Sequence, residues 1–189
     1  MTPEVVNVSV WIAWWVSWLA AAFWRDRAAK QPPRRSQIGY RLFTMAGVVL
    51  LFGATRDAGV LEIPLWYSPV AIQWAMIPVT GGGLAFTWWA RIHLGRLWSS
   101  NVGRKADHRV VDTGPYAIVR HPIYTGIMIA TIATAALRGT LAAWMGVALL
   151  TVAWYVKARL EERFLREELG PETYDAYARR VPMLVPFIR

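Results

Sequence analysis

Two groups of residues have the types and spacing to do chemistry. The stretch 112–126 reads DTGPYAIVRHPIYTG, a polar, Gly- and Pro-punctuated loop that ends in Arg120, His121 and Pro122 and runs directly into apolar sequence. Proline fits the first turn of a helix, where its missing N–H would be unpaired anyway. Arg120 and His121 are therefore expected at a helix N-terminus. Free backbone N–H groups and the positive end of the helix dipole suit such a place to anionic ligand groups. Taken alone, the triplet reads equally well as a capped, snorkelling helix entrance. The second group is Tyr155, Arg159, Glu162 and Arg166, at i, i+4, i+7 and i+11 on one helix face, with Glu161 beside them. By itself, a charge run of this kind is more often a solvated helix extension held by intrahelical ion pairs.

The elements that must position these groups are apolar. The chain has 189 residues, of which 56% are hydrophobic and 12 are Trp, and its mean hydropathy is positive. With no Cys, disulfides, thiolate metal sites and cysteine nucleophiles are excluded together. The three His, at 93, 108 and 121, form no cluster, and no metal site is expected. Val5 to Trp24 is a first apolar run, about one bilayer core in helical rise. It begins after Glu4 and lacks a cleavage site, so it is not read as a removable signal peptide. Trp11, Trp14, Trp15 and Trp18 share one face of it, which reads as helix packing or lipid contact. Further apolar runs cover Leu42 to Thr55, Leu65 to Ala90, Pro122 to Leu137 and Leu141 to Tyr155. The third carries Pro78 and the triplet Gly81-Gly82-Gly83, read as close helix packing in preference to cofactor contact. The last two, split by Arg138-Gly139, form a tight helical hairpin. The final helix is expected to leave the membrane through KARLEERFLREEL and stop at Gly170-Pro171. The tail beyond is amphipathic and then apolar, so it folds back on the domain or lies at the interface.

The net charge of +9 does not point to nucleic acid, because the basic residues lie between apolar runs. Six Lys or Arg fall in 25–41, six in 91–121 and seven after Tyr155; only Arg56 and Arg138 fall in the two short connections on the other side. By the positive-inside rule this gives five spans, with the N-terminus outside and the C-terminus cytoplasmic. The expected fold is thus all-α, a polytopic membrane helix bundle. Three spans in 1–93 support a catalytic half in 94–189 that contains a long polar loop, the hairpin and a charged tail. Loop and tail share the cytoplasmic face, where a pocket of polar groups over an apolar body suits a water-soluble cosubstrate meeting a lipid-soluble one.

The segment HRVVDTGPYAIVRHPIYTG, with LGRLWSSNV before it and LEERFLREELGPETYDAYARRVPMLVPFI after it, resembles the isoprenylcysteine carboxyl methyltransferase and phospholipid methyltransferase superfamily. The resemblance covers Leu94 to Ile188 and rests on GPY, RHPxYxG, and a later EExxL followed by GxxYxxY. It implies an integral membrane enzyme that uses S-adenosylmethionine without a Rossmann domain; the expected location is a bacterial inner membrane. Carried over position by position, it implies cofactor-binding roles for Gly114, Pro115, Tyr116, Arg120, His121, Tyr124 and Gly126. Glu161 and Glu162 match the family's paired acid near cofactor and acceptor. Physically, Arg120 and His121 would take the cofactor carboxylate, the acids its ammonium or ribose, and a Tyr ring its positive charge or adenine. A carboxylate acceptor would need only an orienting cation, for which Arg159, Arg179 and Arg180 are candidates. An amine or thiol would need a base, for which Glu161, Glu162 or His121 would serve. The expected partners are a lipophilic acceptor and membrane lipids. Two other readings are a sterol-reductase-like enzyme using NADPH and a non-enzymatic membrane assembly or transport protein.

Overall fold

The computed structural model describes residues 1–21, 34–53, 63–95 and 110–188. Among them are seven helices and no named strand: α1 (Pro3–Ala20), α2 (Arg34–Val48), α3 (Val70–Leu94), α4 (Pro115–Ile118), α5 (Pro122–Arg138), α6 (Leu141–Leu169) and α7 (Pro171–Arg180). The all-α expectation holds. Most of the basic segment 25–41, the connection through Arg56, Asp57 and Glu62, and most of the polar loop with Arg104, Lys105, His108 and Arg109 lie outside the described residues.

Local chemistry sets the helix ends. Thr2 caps α1, its side chain accepting from the Val5 N–H, with Pro3 in the first turn. Pro122 opens α5, and Gly139, at φ +68°, closes it by donating its N–H to the Ala135 carbonyl. Thr140 then caps α6, so the hairpin needs only two residues to turn. α6 runs unbroken from its apolar half through the charged sequence to Gly170, as expected. The third apolar run, Leu65 to Ala90, and its helix do not coincide: α3 starts at Val70, after Pro69, and continues to Leu94. Residues 63–66 instead cross the α5–α6 turn, where Leu65 N–H donates to Gly139 O and Leu141 N–H to Ile63 O. A proline restricts the residue before it to extended backbone, which delays the helix.

Two glycine crossings bring the helices together. A Cβ on Gly126 of α5 would stand 2.5 Å from the Gly83 carbonyl of α3, and a Cβ on Gly83 would stand 2.6 Å from Gly126 O. Likewise, a Cβ on Gly146 of α6 would meet Gly47 O of α2 at 2.7 Å. Beside that contact α2 relaxes into a π-helical stretch, Val49–Gly53, which buries Leu51 against α6. Backbones this close are a feature of helix packing in hydrocarbon. Inside the bundle, Asn7 Nδ2 and Trp11 Nε1 both donate to Thr134 Oγ1, and Trp14 Nε1 donates to Thr87 Oγ1. Trp15 points outward, so the aromatic face splits between packing and surface. The outer surface carries Ile12, Val16, Leu42, Met45, Val70, Trp74, Met145 and Val152. Such a surface suits hydrocarbon. α3 and α6 are long and apolar enough to cross a bilayer, and α5 and the apolar part of α2 are shorter.

Candidate active site

The site forms where the start of α5, the charged half of α6 and the segment after α7 converge. His121 is the N-cap of α5, and Arg120 precedes it. The segment after α7 runs alongside them: Arg120 N–H donates to Pro182 O and His121 N–H to Met183 O. Thr125, one turn into α5, donates its hydroxyl to Leu184 O at 2.6 Å. These bonds hold two adjacent side chains toward α6. Arg120 Nε donates to Glu162 Oε1 at 2.7 Å, and its NH1 donates to Ala178 O and Val181 O. The guanidinium is thus nearly enclosed by one carboxylate and the carbonyl end of α7, where cations are favoured.

His121 lies between the two acids. Nε2 is 3.3 Å from Glu162 Oε1 and Nδ1 is 3.6 Å from Glu161 Oε2. With an acid facing each nitrogen, the surroundings favour the imidazolium, in which both nitrogens can donate. Tyr124 stacks on this ring, centroids 5.5 Å apart and planes 12° from parallel, and donates its hydroxyl to Glu161 Oε1 at 2.6 Å. Glu161 and Glu162 lie in the charged half of α6, beyond its apolar stretch. Burial works against an ionised Glu162, but hydrogen bonds from His121 and Arg120 outweigh it and pull its pKa down to about 2. Burial likewise works against a charged His121, yet the bonds and charges of Glu161 and Glu162 raise it above the ordinary imidazole value. Glu161 is also lowered: against its burial stand His121, the charge of Lys157 and the Tyr124 hydroxyl.

A second wall adjoins this cluster. Gly114, at φ +57°, turns the chain into α4, and a Cβ there would run into the His93 ring at 2.7 Å. His93 in turn stacks near Tyr116 of α4 and stands 2.9 Å from Thr113 Oγ1. Tyr116 is buried, and its carbonyl accepts from the Tyr177 hydroxyl.

The structure therefore brings together Arg120, His121, Tyr124, Glu161 and Glu162, with Gly114, Pro115 and Tyr116 on the adjoining wall. Arg159 is half-exposed and reaches Glu162 Oε2 at 3.8 Å. Arg179 is on the exposed side of α7, and the exposed Arg180 pairs with Asp112. Gly126 lies against α3. Three contributors were missed by sequence reasoning. The backbone of 181–184 left no signal beyond an apolar tail. Tyr40 of α2 and Lys157 of α6 were also missed; Lys157 Nζ stands 5.8 Å from the Tyr40 ring centroid and 5.3 Å from that of Tyr124. The i, i+4 spacing of Lys157 and Glu161 was the available signal.

The isoprenylcysteine carboxyl methyltransferase family model matches residues 76–168, from within α3 through nearly all of α6. The chain is 32% identical over 139 residues to the cobalt-zinc-cadmium resistance protein CzcN of Cupriavidus metallidurans, covering 72% of this chain and 56% of that protein. It is 31% identical over 183 residues to methanethiol S-methyltransferase 2 of Bradyrhizobium diazoefficiens, covering 92% of this chain and 63% of the relative. It is 35% identical over 91 residues to protein-S-isoprenylcysteine O-methyltransferase B of Arabidopsis thaliana, covering 46% and 44%. The chain thus spans between 44% and 63% of the length of these relatives.

Proposed function

The chain belongs to the isoprenylcysteine carboxyl methyltransferase and phospholipid methyltransferase superfamily, and from that premise we propose that it is an integral membrane enzyme moving a methyl group from S-adenosylmethionine to a lipophilic acceptor. One observation carries this reading: paired acids, an arginine, a histidine and two tyrosines converge at one end of an apolar bundle. The mixed charge fits the cofactor, which has a carboxylate, an ammonium, an adenine plane and a sulfonium. Exchanging part of their present contacts with Glu161 and Glu162, Arg120 and His121 would hold its carboxylate together with the N-terminus of α5, and the freed acids would take its ammonium or ribose hydroxyls. Tyr116 and Tyr124 would offer ring faces, and Gly114 and Pro115 would shape the wall. When bound, the cofactor supplies an electrophilic methyl on a sulfonium that departs as a neutral thioether.

What the protein supplies is position. The sulfonium loses its positive charge as the methyl moves, so the rate depends on holding the acceptor in line in a dry site. The 181–184 segment and the Gly83–Gly126 contact serve that end by fixing the start of α5. Arg159 and Arg180, on the rim, would meet the parts of the ligands nearest water. The charge distribution supports five spans with the N-terminus outside and the site facing the cytoplasm. Residues 1–93 act as the support and 94–189 as the catalytic half of one structural domain.

The test is equilibrium binding of S-adenosylmethionine to purified protein in detergent. Saturable binding, weakened at least tenfold by His121→Ala and less by Tyr124→Phe, is expected from loss of charge-assisted hydrogen bonds. No binding at millimolar cofactor would overturn the proposal. Labelled-methyl transfer to prenylated cysteines, phospholipid amines, hydrophobic acids and thiols then identifies the acceptor.

A further inference from the structure

Beyond the ion pairs lie the two tyrosines of the GxxYxxY motif, Tyr174 and Tyr177, three residues apart on one face of α7. Both are buried, ring against ring with centroids 6.1 Å apart and planes at 76°. They form a small apolar cluster with Val181, joined by Val110, Leu165 and Leu169. A buried phenolic hydroxyl needs a partner, and each of these finds one on a different wall of the site. Tyr177 donates to the Tyr116 carbonyl at 2.8 Å. Tyr174 donates its hydroxyl to Glu162.

The Tyr116 carbonyl is open to a side chain for a local reason. α4 is a single turn of four residues, and a helix that short does not hold itself. Tyr116 O would ordinarily accept from the N–H four residues on, that of Arg120. The Arg120 N–H instead donates to Pro182 O. The carbonyl of this buried residue is therefore left for the Tyr177 hydroxyl, and leaving it unmet would be costly. α4 packs on α3 and α5, whereas the acids belong to α6, on which α7 packs. Tyr177 thus ties the Tyr116 wall to a helix seated on the acid-bearing one, and Tyr174, one turn earlier, holds an acid itself. Arg120 fixes the far end of α7 by donating to Ala178 O and Val181 O.

We propose that Tyr177, with Tyr174 one turn before it, is a positioning residue that fixes the separation of the two walls, so that one ligand meets the Tyr116 ring and the paired acids at once. This rests on the methyltransferase reading above and gives α7 its part in it. A ligand that spans both walls gains from a fixed separation, because the alignment is settled before it arrives. A fragment that needs only one wall gains nothing. Tyr177 therefore makes the site selective for the reach of the ligand as well as for its chemistry.

The experiment measures binding to the full chain in nanodiscs with two probes: S-adenosylhomocysteine, which spans both walls, and methylthioadenosine, which lacks the amino-acid end. Tyr177→Phe keeps the ring and removes only the hydroxyl. It should weaken S-adenosylhomocysteine about fivefold and leave methylthioadenosine unchanged. Tyr174→Phe should give the same pattern, with thermal melting checking that each variant is folded. Trp11→Phe, which removes a hydrogen bond to Thr134 inside the bundle, is the control: it should lower the melting temperature and leave both probes unchanged. Equal loss of both probes in Tyr177→Phe overturns the proposal, as does a loss of S-adenosylhomocysteine no larger than the control's. Failure of wild type to bind S-adenosylhomocysteine would instead count against the methyltransferase reading itself.

Discussion

Arg120 is a charge that the fold has nearly removed from water, with 11% of its side chain exposed against 10% for Glu162. Taking one member of such a pair away leaves the other buried and uncompensated, which typically costs several kcal/mol. Glu162→Gln is therefore expected to destabilise the protein by about 3 kcal/mol at neutral pH. The same groups set the pH response. Glu162 is depressed to about 2 from an ordinary 4.5, so its contribution is complete above pH 4.5 and is lost as pH falls toward 2. His121 is raised above 6.5, so its contribution is complete below pH 6.5 and is lost as pH rises through the shifted value. Melting in detergent should show a plateau between these limits, with an acid limb that Glu162→Gln reduces, the part due to Glu161 remaining, and an alkaline limb that His121→Gln abolishes. A profile unchanged by either substitution would contradict the pairing. At this scale the sequence was partly legible. RHP announced a helix start, and EE announced acids on a later helix. That Arg120 would turn to Glu162 and to carbonyls at the end of α7, rather than stay open at the helix mouth, depends on residues 42 to 61 positions away.

Among helices, the glycines separate by what surrounds them. A methyl added at Gly81 or Gly82 would meet nothing within 4 Å, whereas Gly83 and Gly126 are in backbone contact. Gly81→Ala and Gly82→Ala should each be neutral to stabilising by about 0.5–1 kcal/mol, since glycine is a poor helix former. Gly126→Ala should cost about 1–3 kcal/mol through overpacking and, because it shifts the start of α5, should also weaken cofactor binding. Melting temperature and binding measured on the three variants check this, and equal effects at all three would refute it. The packing reading of GGG was legible, but which glycine did the packing was not, because only the partner helix decides it. Similarly, four Trp on one face signalled an interface, while the hydrogen bonds of Trp11 and Trp14 to Thr134 and Thr87 needed the facing helices to be known.

Taken whole, the molecule has two unlike ends. At one, residues 63–66 are stitched to the α5–α6 turn; at the other, the ion pairs gather. The sequence anticipated this separation through its charge distribution, which acts on whole segments and needs no knowledge of contacts. Since the chain has no Cys, single cysteines report its orientation directly. Tyr67→Cys, at a site 89% exposed, should react with an impermeant maleimide in intact cells, and Glu172→Cys only after lysis; the reverse pattern would invert the proposed topology. The backbone bonds from 120–121 to 182–183 also carry a consequence in time. Helices α1 to α5 are synthesised while Arg120 still lacks Glu162, Ala178 and Val181, so the bundle can insert long before its site can exist. Contacts this distant in sequence form late. Newly made chains should therefore pass through a stage that is embedded and helical yet carries an unpaired arginine at its rim, until 181–184 docks beside it.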